Sequence, residues 1–181
     1  MQRPGEGGGF ITDEPAASSA IAAAARRFTS KQMGDACEML IAAELTLAGI
    51  PALKVPDNWP HYDVIAQPDK GPAQRISVKS RTFKSGPAYV EYKAGDQFDW
   101  LAIVLLSAVR DIYMVPRSVA DQHARRDKPT SKTAELRYFR IDEVGRLFGH
   151  YRGNFALTAP DRELSGAQRP ESIGLAAPTE R

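Results

Sequence analysis

Asp63 stands near the start of one apolar run, Ser77-Val78-Lys79 closes the next, and Glu38 lies upstream on a helical repeat. Residue types of this kind suit the hydrolysis of a phosphodiester, which asks three things of one place: a bound cation, an activated water and compensation of developing negative charge. Hard divalent cations take carboxylate oxygens, and a bound metal lowers the pKa of a coordinated water. A nearby lysine orients that water or offsets the charge on the phosphorane. Residues two apart on a strand share a face, so Ser77 and Lys79 look one way while Ile76 and Val78 face an apolar core.

These residues need rigid elements to hold them. Met33, Cys37, Ile41 and Leu45 recur every four residues with Leu40 and Ala48 beside them, and Gly49 follows as a stop signal, which predicts an amphipathic helix. Short runs rich in strand-forming residues come next: Ala52–Val55, Tyr62–Ala66, Arg75–Lys79, Tyr89–Tyr92, Trp100–Leu106 and Ile112–Val115. Turn formers separate them, among them Pro68-Asp69-Lys70-Gly71 and Lys84-Ser85-Gly86-Pro87. Trp100–Leu106 is continuously apolar and not alternating, so it is expected inside a sheet covered on both faces. Arg117–Arg126 and Ile141–Phe148 are expected as peripheral helices joined by a polar loop. The fold class that accommodates this order is α/β, a layered sandwich with an N-terminal helix, a mixed central sheet and flanking helices.

Tyr62-Asp63-Val64-Ile65-Ala66 followed by Ile76-Ser77-Val78-Lys79-Ser80 resembles the paired strand motifs of the PD-(D/E)xK nuclease superfamily. The helix before them, Gly34-Asp35-Ala36-Cys37-Glu38 with Leu45 and Gly49-Ile50 beyond, is similar to the Gly-xxx-Glu helix that opens the Holliday-junction-resolvase branch. Phe98–Val104 and Asp111–Pro116 resemble the strand pair that follows the active site in homing-endonuclease-like members. The resemblance spans about Gly34–Pro116 and implies a restriction-endonuclease-like fold, Mg²⁺ or Mn²⁺ as cofactor, and DNA as partner. It puts Glu38 and Asp63 on the acidic metal-binding positions and Lys79 on the catalytic lysine. Ser77 departs from the pattern, since members of the superfamily carry Asp, Glu or, in one branch, Gln there. A serine hydroxyl is a neutral, weak cation ligand. The missing carboxylate is sought in Glu91, which a hairpin through Lys84–Pro87 brings beside Lys79 in one register. Resolvase-like relatives imply a homodimer.

Arg81, Lys84 and Lys93 cluster with Lys79 around the same strand and hairpin and suit phosphate contacts, where binding is driven by counterion release. Solvated hairpin charges are the ordinary alternative. From Arg110 to Arg152 ten basic residues face six acidic ones, a local surplus that suits a polyanion. Glu44 lies nearer the centre of the helix's apolar stripe than Glu38 and is read as an edge residue in preference to a further site member. His61, His123 and His150 lack zinc-site spacing, and His61 is expected to share the strand face of Asp63. Trp59 and Trp100 are assigned to the core. Gly7-Gly8-Gly9 lacks the Lys-Ser/Thr of a phosphate loop.

With 24 Lys+Arg against 22 Asp+Glu, bulk charge does not announce a polyanion partner, so any basic surface is local. Cys37 is the single cysteine, which rules out an intramolecular disulfide and fits the reducing cytoplasm. No apolar run reaches the roughly 18 residues of a membrane span and the N-terminus lacks a signal pattern, so neither a membrane nor export is expected. The Gly- and Ala-rich residues 1–29 and the Pro-punctuated residues 158–181 are expected as disordered tails around one domain at 30–157. Two functions fit: a divalent-metal-dependent endonuclease acting on DNA, and a catalytically inactive nuclease-fold domain that binds nucleic acid or a protein partner. A small adaptor unrelated to nucleic acid is a third, distinguished by the absence of salt-dependent DNA binding.

Overall fold

A computed structural model of the chain describes residues 28–82, 88–107 and 109–159. Residues 1–27 and 160–181 of the expected tails, and Lys84, lie outside the described residues. Helix α1 spans Ser30–Leu47 and starts at a capping box: Thr29 accepts from the Gln32 backbone N–H, and the Gln32 side chain accepts in return from the Thr29 N–H. It stops at Gly49, whose φ of +91° is the left-handed conformation glycine tolerates, with the Ile50 N–H donating back to the Leu45 carbonyl at 2.9 Å.

The strands are β1 (Ala52–Lys54), β2 (Val64–Ala66), β3 (Gln74–Thr82), β4 (Tyr89–Lys93), β5 (Trp100–Leu106), β6 (Asp111–Pro116) and β7 (Leu136–Arg140). Helix α2 (Arg117–His123) lies between β6 and β7, and α3 (Ile141–Phe148) follows β7. Five strands form a mixed sheet in the order β1-β2-β3-β5-β6, parallel only between β3 and β5. β4 and β7 pair antiparallel in a second, two-stranded sheet.

Each face of the large sheet has its own apolar core. On one, Cys37, Ile41 and Leu45 of α1 pack on Ile76, Val78, Trp100, Ala102, Val104 and Met114. On the other, Leu101, Ile103, Leu105, Tyr113 and Val115 meet Val90 and Tyr92 of β4, Phe139 of β7 and Val144 and Phe148 of α3. β5 contributes alternate residues to both cores and is buried from Trp100 to Leu105, which explains why its sequence is continuously apolar. Among the described residues no helix is long and apolar enough to cross a membrane.

Three element expectations are corrected. The segment expected as a polar loop contains β7, which Phe139 anchors in the core while Leu136, Arg137 and Tyr138 are half-buried and Arg140 is exposed. The first peripheral helix ends at His123 and not Arg126, because Ala124 is extended and Arg125 pairs with Tyr138 as an isolated bridge. β4 does not pair with β3: the position beside β3 is taken by β5, and β4 pairs with β7.

Candidate active site

Asp63 precedes β2 and its backbone N–H donates to the Ile76 carbonyl at 2.9 Å, so it sits across from the middle of β3. Its Oδ2 accepts the Val78 N–H at 2.6 Å and the Ser77 hydroxyl at 3.3 Å. Among the described residues Oδ1 receives no hydrogen bond from the protein, which leaves a carboxylate oxygen for something else. Ser77, 2% exposed, is the only buried polar side chain of the described core.

β3 alternates as the sequence requires. Ile76 and Val78 enter the α1 core, whereas Ser77, Lys79 and Arg81 pair in register with Leu101, Ile103 and Leu105 on the opposite face. Arg81 donates through Nε to the Tyr89 carbonyl at 2.7 Å and through a terminal nitrogen to the Ser80 carbonyl at 2.8 Å, so it joins β3 to the start of β4.

Glu38 lies on α1, above the other face. It borders the same cavity as Asp63, a space of about 290 Å³ whose wall also includes Asp35, Asp57, Trp59 and Tyr62. Carboxylate oxygens of Asp35, Glu38 and Asp57 lie within 4.8 Å of one another. Lys54 of β1 reaches into this group, its Nζ 2.6 Å from Glu38, 2.7 Å from Asp57 and 3.2 Å from Asp35. Lys31 pairs with Asp35 and Asp57 from the outside. Asp57 and Glu38 hold the Lys54 ammonium well above its ordinary range. Lys31, then Lys54, hold Asp57 down to about 2.

The fold thus brings Glu38 and Asp63 to one cavity. Ser77 touches Asp63, and Lys79 follows two residues along the same strand face without lining that cavity among the described residues. Glu91 stands elsewhere. It is exposed on β4, cross-strand from Tyr138, and points away from the core that Val90 and Tyr92 enter, so it is not beside Lys79. Lys93 is exposed on that same outer face. His61 is not on a strand: it adopts φ +75° in the bend before β2 and lies 3.7 Å from Asp96. Trp100 is core, its indole N–H donating to Gln74 at 2.9 Å, but Trp59 is 51% exposed. Glu44 is half-buried at the helix edge. Of the basic surplus after Arg110, Arg117, Arg125, Arg140, Arg146 and Arg152 are engaged with nearby carboxylates. Sequence reasoning passed over Lys54 and Asp57, because nothing in a Leu-Lys-Val-Pro-Asp string marks its charges as facing a distant helix.

The elements are arranged as in the restriction-endonuclease-like fold: an opening helix, an antiparallel strand pair β2–β3 and a parallel neighbour to β3. Comparison of folds agrees. The chain is similar to a solved bacterial homing endonuclease, I-Ssp6803I, with a TM-score of 0.52 and 19% identity over 72% of this chain and 93% of that one. It is also similar to Hjc, a Holliday junction resolvase from Archaeoglobus fulgidus, with a TM-score of 0.43 and 18% identity over 65% of this chain and 88% of that one. No protein-family model and no curated protein matches the sequence.

Proposed function

We propose that this protein is a divalent-metal-dependent endonuclease acting on DNA phosphodiester bonds. The observation that carries the reading is that Glu38, on α1, and Asp63, at the entry to β2, open on one cavity. The likeness in fold to a homing endonuclease supports it. The donor set fits Mg²⁺ or Mn²⁺: it is made of hard carboxylate oxygens, and one oxygen of Asp63 accepts no hydrogen bond among the described residues. Asp63 and Glu38 would hold the ion, which supplies a water of lowered pKa and positive charge near the phosphate. Ser77 and the Val78 N–H fix the Asp63 carboxylate by hydrogen bonds to Oδ2. Lys79, on the face that carries Ser77, offsets charge on the phosphorane or orients the water. Arg81 and Lys93 offer positive charge to the backbone, Arg81 with only part of its guanidinium because the Tyr89 and Ser80 carbonyls occupy the rest.

The test is nicking of supercoiled DNA in Mg²⁺ and in Mn²⁺. Asp63→Ala, Glu38→Ala and Lys79→Ala are each expected to reduce the rate by on the order of 100-fold or more, and Glu91→Ala to leave it unchanged. Full activity in Asp63→Ala would discard the reading.

A second reading has its own observation. Lys54 brings a covalently attached cation to Glu38, and Ser77 stands where a second carboxylate would strengthen the ion site. On this reading the fold binds nucleic acid without cutting. Ser77→Glu separates the two: nicking gained in a chain that otherwise lacks it favours the binding domain, whereas nicking already present in the unaltered chain favours the endonuclease.

A further inference from the structure

Trp59 is the one tryptophan placed to meet a ligand, and its surroundings say which kind. The indole is 51% exposed on the loop between β1 and β2, whereas Trp100 is 5% exposed and hydrogen-bonded inside the core. The loop is tied at several points. Val55 N–H donates to the Asp63 carbonyl at 3.0 Å and Trp59 N–H to the Pro56 carbonyl at 2.8 Å, while Lys54 grips Asp57 at 2.7 Å. Pro56 and Pro60 restrict the backbone on either side. Tyr62 supports the indole edge-to-face, ring centroids 6.3 Å apart at 68°. A large apolar ring is therefore held in place at the surface, where its burial would otherwise contribute to stability.

That ring lines the cavity on which Asp63 and Glu38 open. The cavity wall carries Asp35, Glu38, Asp57 and Asp63 against Lys31, with Lys54 the second cation paired to the group, so four carboxylates outnumber two ammonium groups and a bare phosphate is disfavoured at the Trp59 end. A flat, uncharged ring is not. At about 290 Å³ the space lies near the low end of the range for small-molecule sites and has room for a single base, not a duplex. We propose that Trp59 is a stacking platform for one unpaired nucleobase of the DNA substrate, next to the bond that Asp63 and Glu38 address. The inference rests on the endonuclease reading and narrows it: the preferred DNA carries an unstacked nucleotide at the site, as a single strand, a flap or a bulge does. An intact duplex must first unstack a base, which costs a few kcal/mol, so it binds the platform poorly.

Intrinsic fluorescence tests this in the full chain, since Trp100 is shielded and the response reports Trp59. A single-stranded oligonucleotide, a blunt duplex of the same sequence and that duplex with one unpaired nucleotide are titrated at low salt, with Ca²⁺ in place of Mg²⁺ to slow cleavage. Quenching by the single strand and the bulged duplex is expected, and affinity for both, read in every variant from the fluorescence anisotropy of end-labelled DNA, is expected to fall roughly tenfold in Trp59→Ala. Trp59→Phe, which keeps a stacking face, is expected to retain most of it, and blunt-duplex binding to move less than twofold. Thermal melting of both variants confirms that they fold. Salt-dependent binding of all three DNAs without quenching, or an equal loss for all three in Trp59→Ala, overturns the platform and leaves the endonuclease reading standing. Absence of DNA binding in the unaltered chain sinks both.

Discussion

The two faces of the five-stranded sheet are built by the same strands to opposite ends. Under α1 the face is apolar from β2 to β6, and charge is confined to the margin where Lys54 meets Asp35, Glu38 and Asp57. On the other face the apolar core begins only at β5, and the β3 row in front of it is polar: Ser77, Lys79 and Arg81. A strand that alternates between core and polar residues is ordinary at a solvated face. Here the polar row includes Ser77, 2% exposed, and a half-buried lysine, Lys79. The packing on that side is taken over by β4, β7, α2 and α3, which cover β5 and β6 and leave the β2–β3 corner to Asp63. Packing and chemistry thus divide one surface between neighbouring strands.

Mutations on the two faces are therefore expected to differ in kind. The largest stability losses are expected from the second core: Phe139→Ala and Phe148→Ala should each cost about 3–5 kcal/mol in chemical denaturation, because both rings are almost fully buried and pack edge-to-face 5.0 Å apart. Ile41→Ala under α1 should cost about 2–5 kcal/mol without any specific effect on DNA binding. Asp63→Ala comes next at about 1–3 kcal/mol, since it strands the Val78 N–H and the Ser77 hydroxyl; a loss as large as that of Phe139→Ala would mean that the corner is a packing element. Ser77→Ala removes one hydrogen bond and is expected to cost about 0.5–1.5 kcal/mol.

The smallest effect concerns the charged margin. Asp57 titrates at about 2 in the folded chain against an ordinary 3.8, so its contribution is present above 3.8 and is lost as pH falls through about 2. Lys54 is shifted upward, so its contribution is present below its ordinary 10.5 and disappears as pH rises beyond that. Melting temperature followed against pH should therefore decline on both limbs, and Lys54→Met should flatten both. An unaltered acid limb in Lys54→Met would show that Lys31 alone holds Asp57.

The element pattern was legible wherever a residue's neighbours in sequence are also its neighbours in space. The four-residue repeat of α1, its glycine stop and the continuous run of β5 each report local geometry plus the amount of burial, and both are written in the side chains. The same alternation separates Ser77 and Lys79 from Ile76 and Val78. Glu91 was misplaced because adjacency in sequence suggested a hairpin with β3, whereas the parallel pairing with β5 fills that edge and sends β4 to a distant partner. β7 escaped notice because its two arginines fall in a segment flanked by polar residues, and its strand character comes from pairing with β4. Trp59 was expected in the core because aromatic residues bury more area than any others, and composition does not record which loop is tied down at the surface.

From the order of residues alone come the helix, the strands, the inside and outside of each, and the chemical types that a site has to work with. Which of those types meet is a matter of long-range closure. Glu38 and Asp63 come from elements remote in the chain and share a cavity whose wall the β1–β2 loop completes with Asp57, Trp59 and Tyr62, and Lys54 reaches Glu38 because α1 packs against β1. Contacts of that sort depend on strand order and on ion pairs between segments remote in the chain, quantities that no local periodicity encodes.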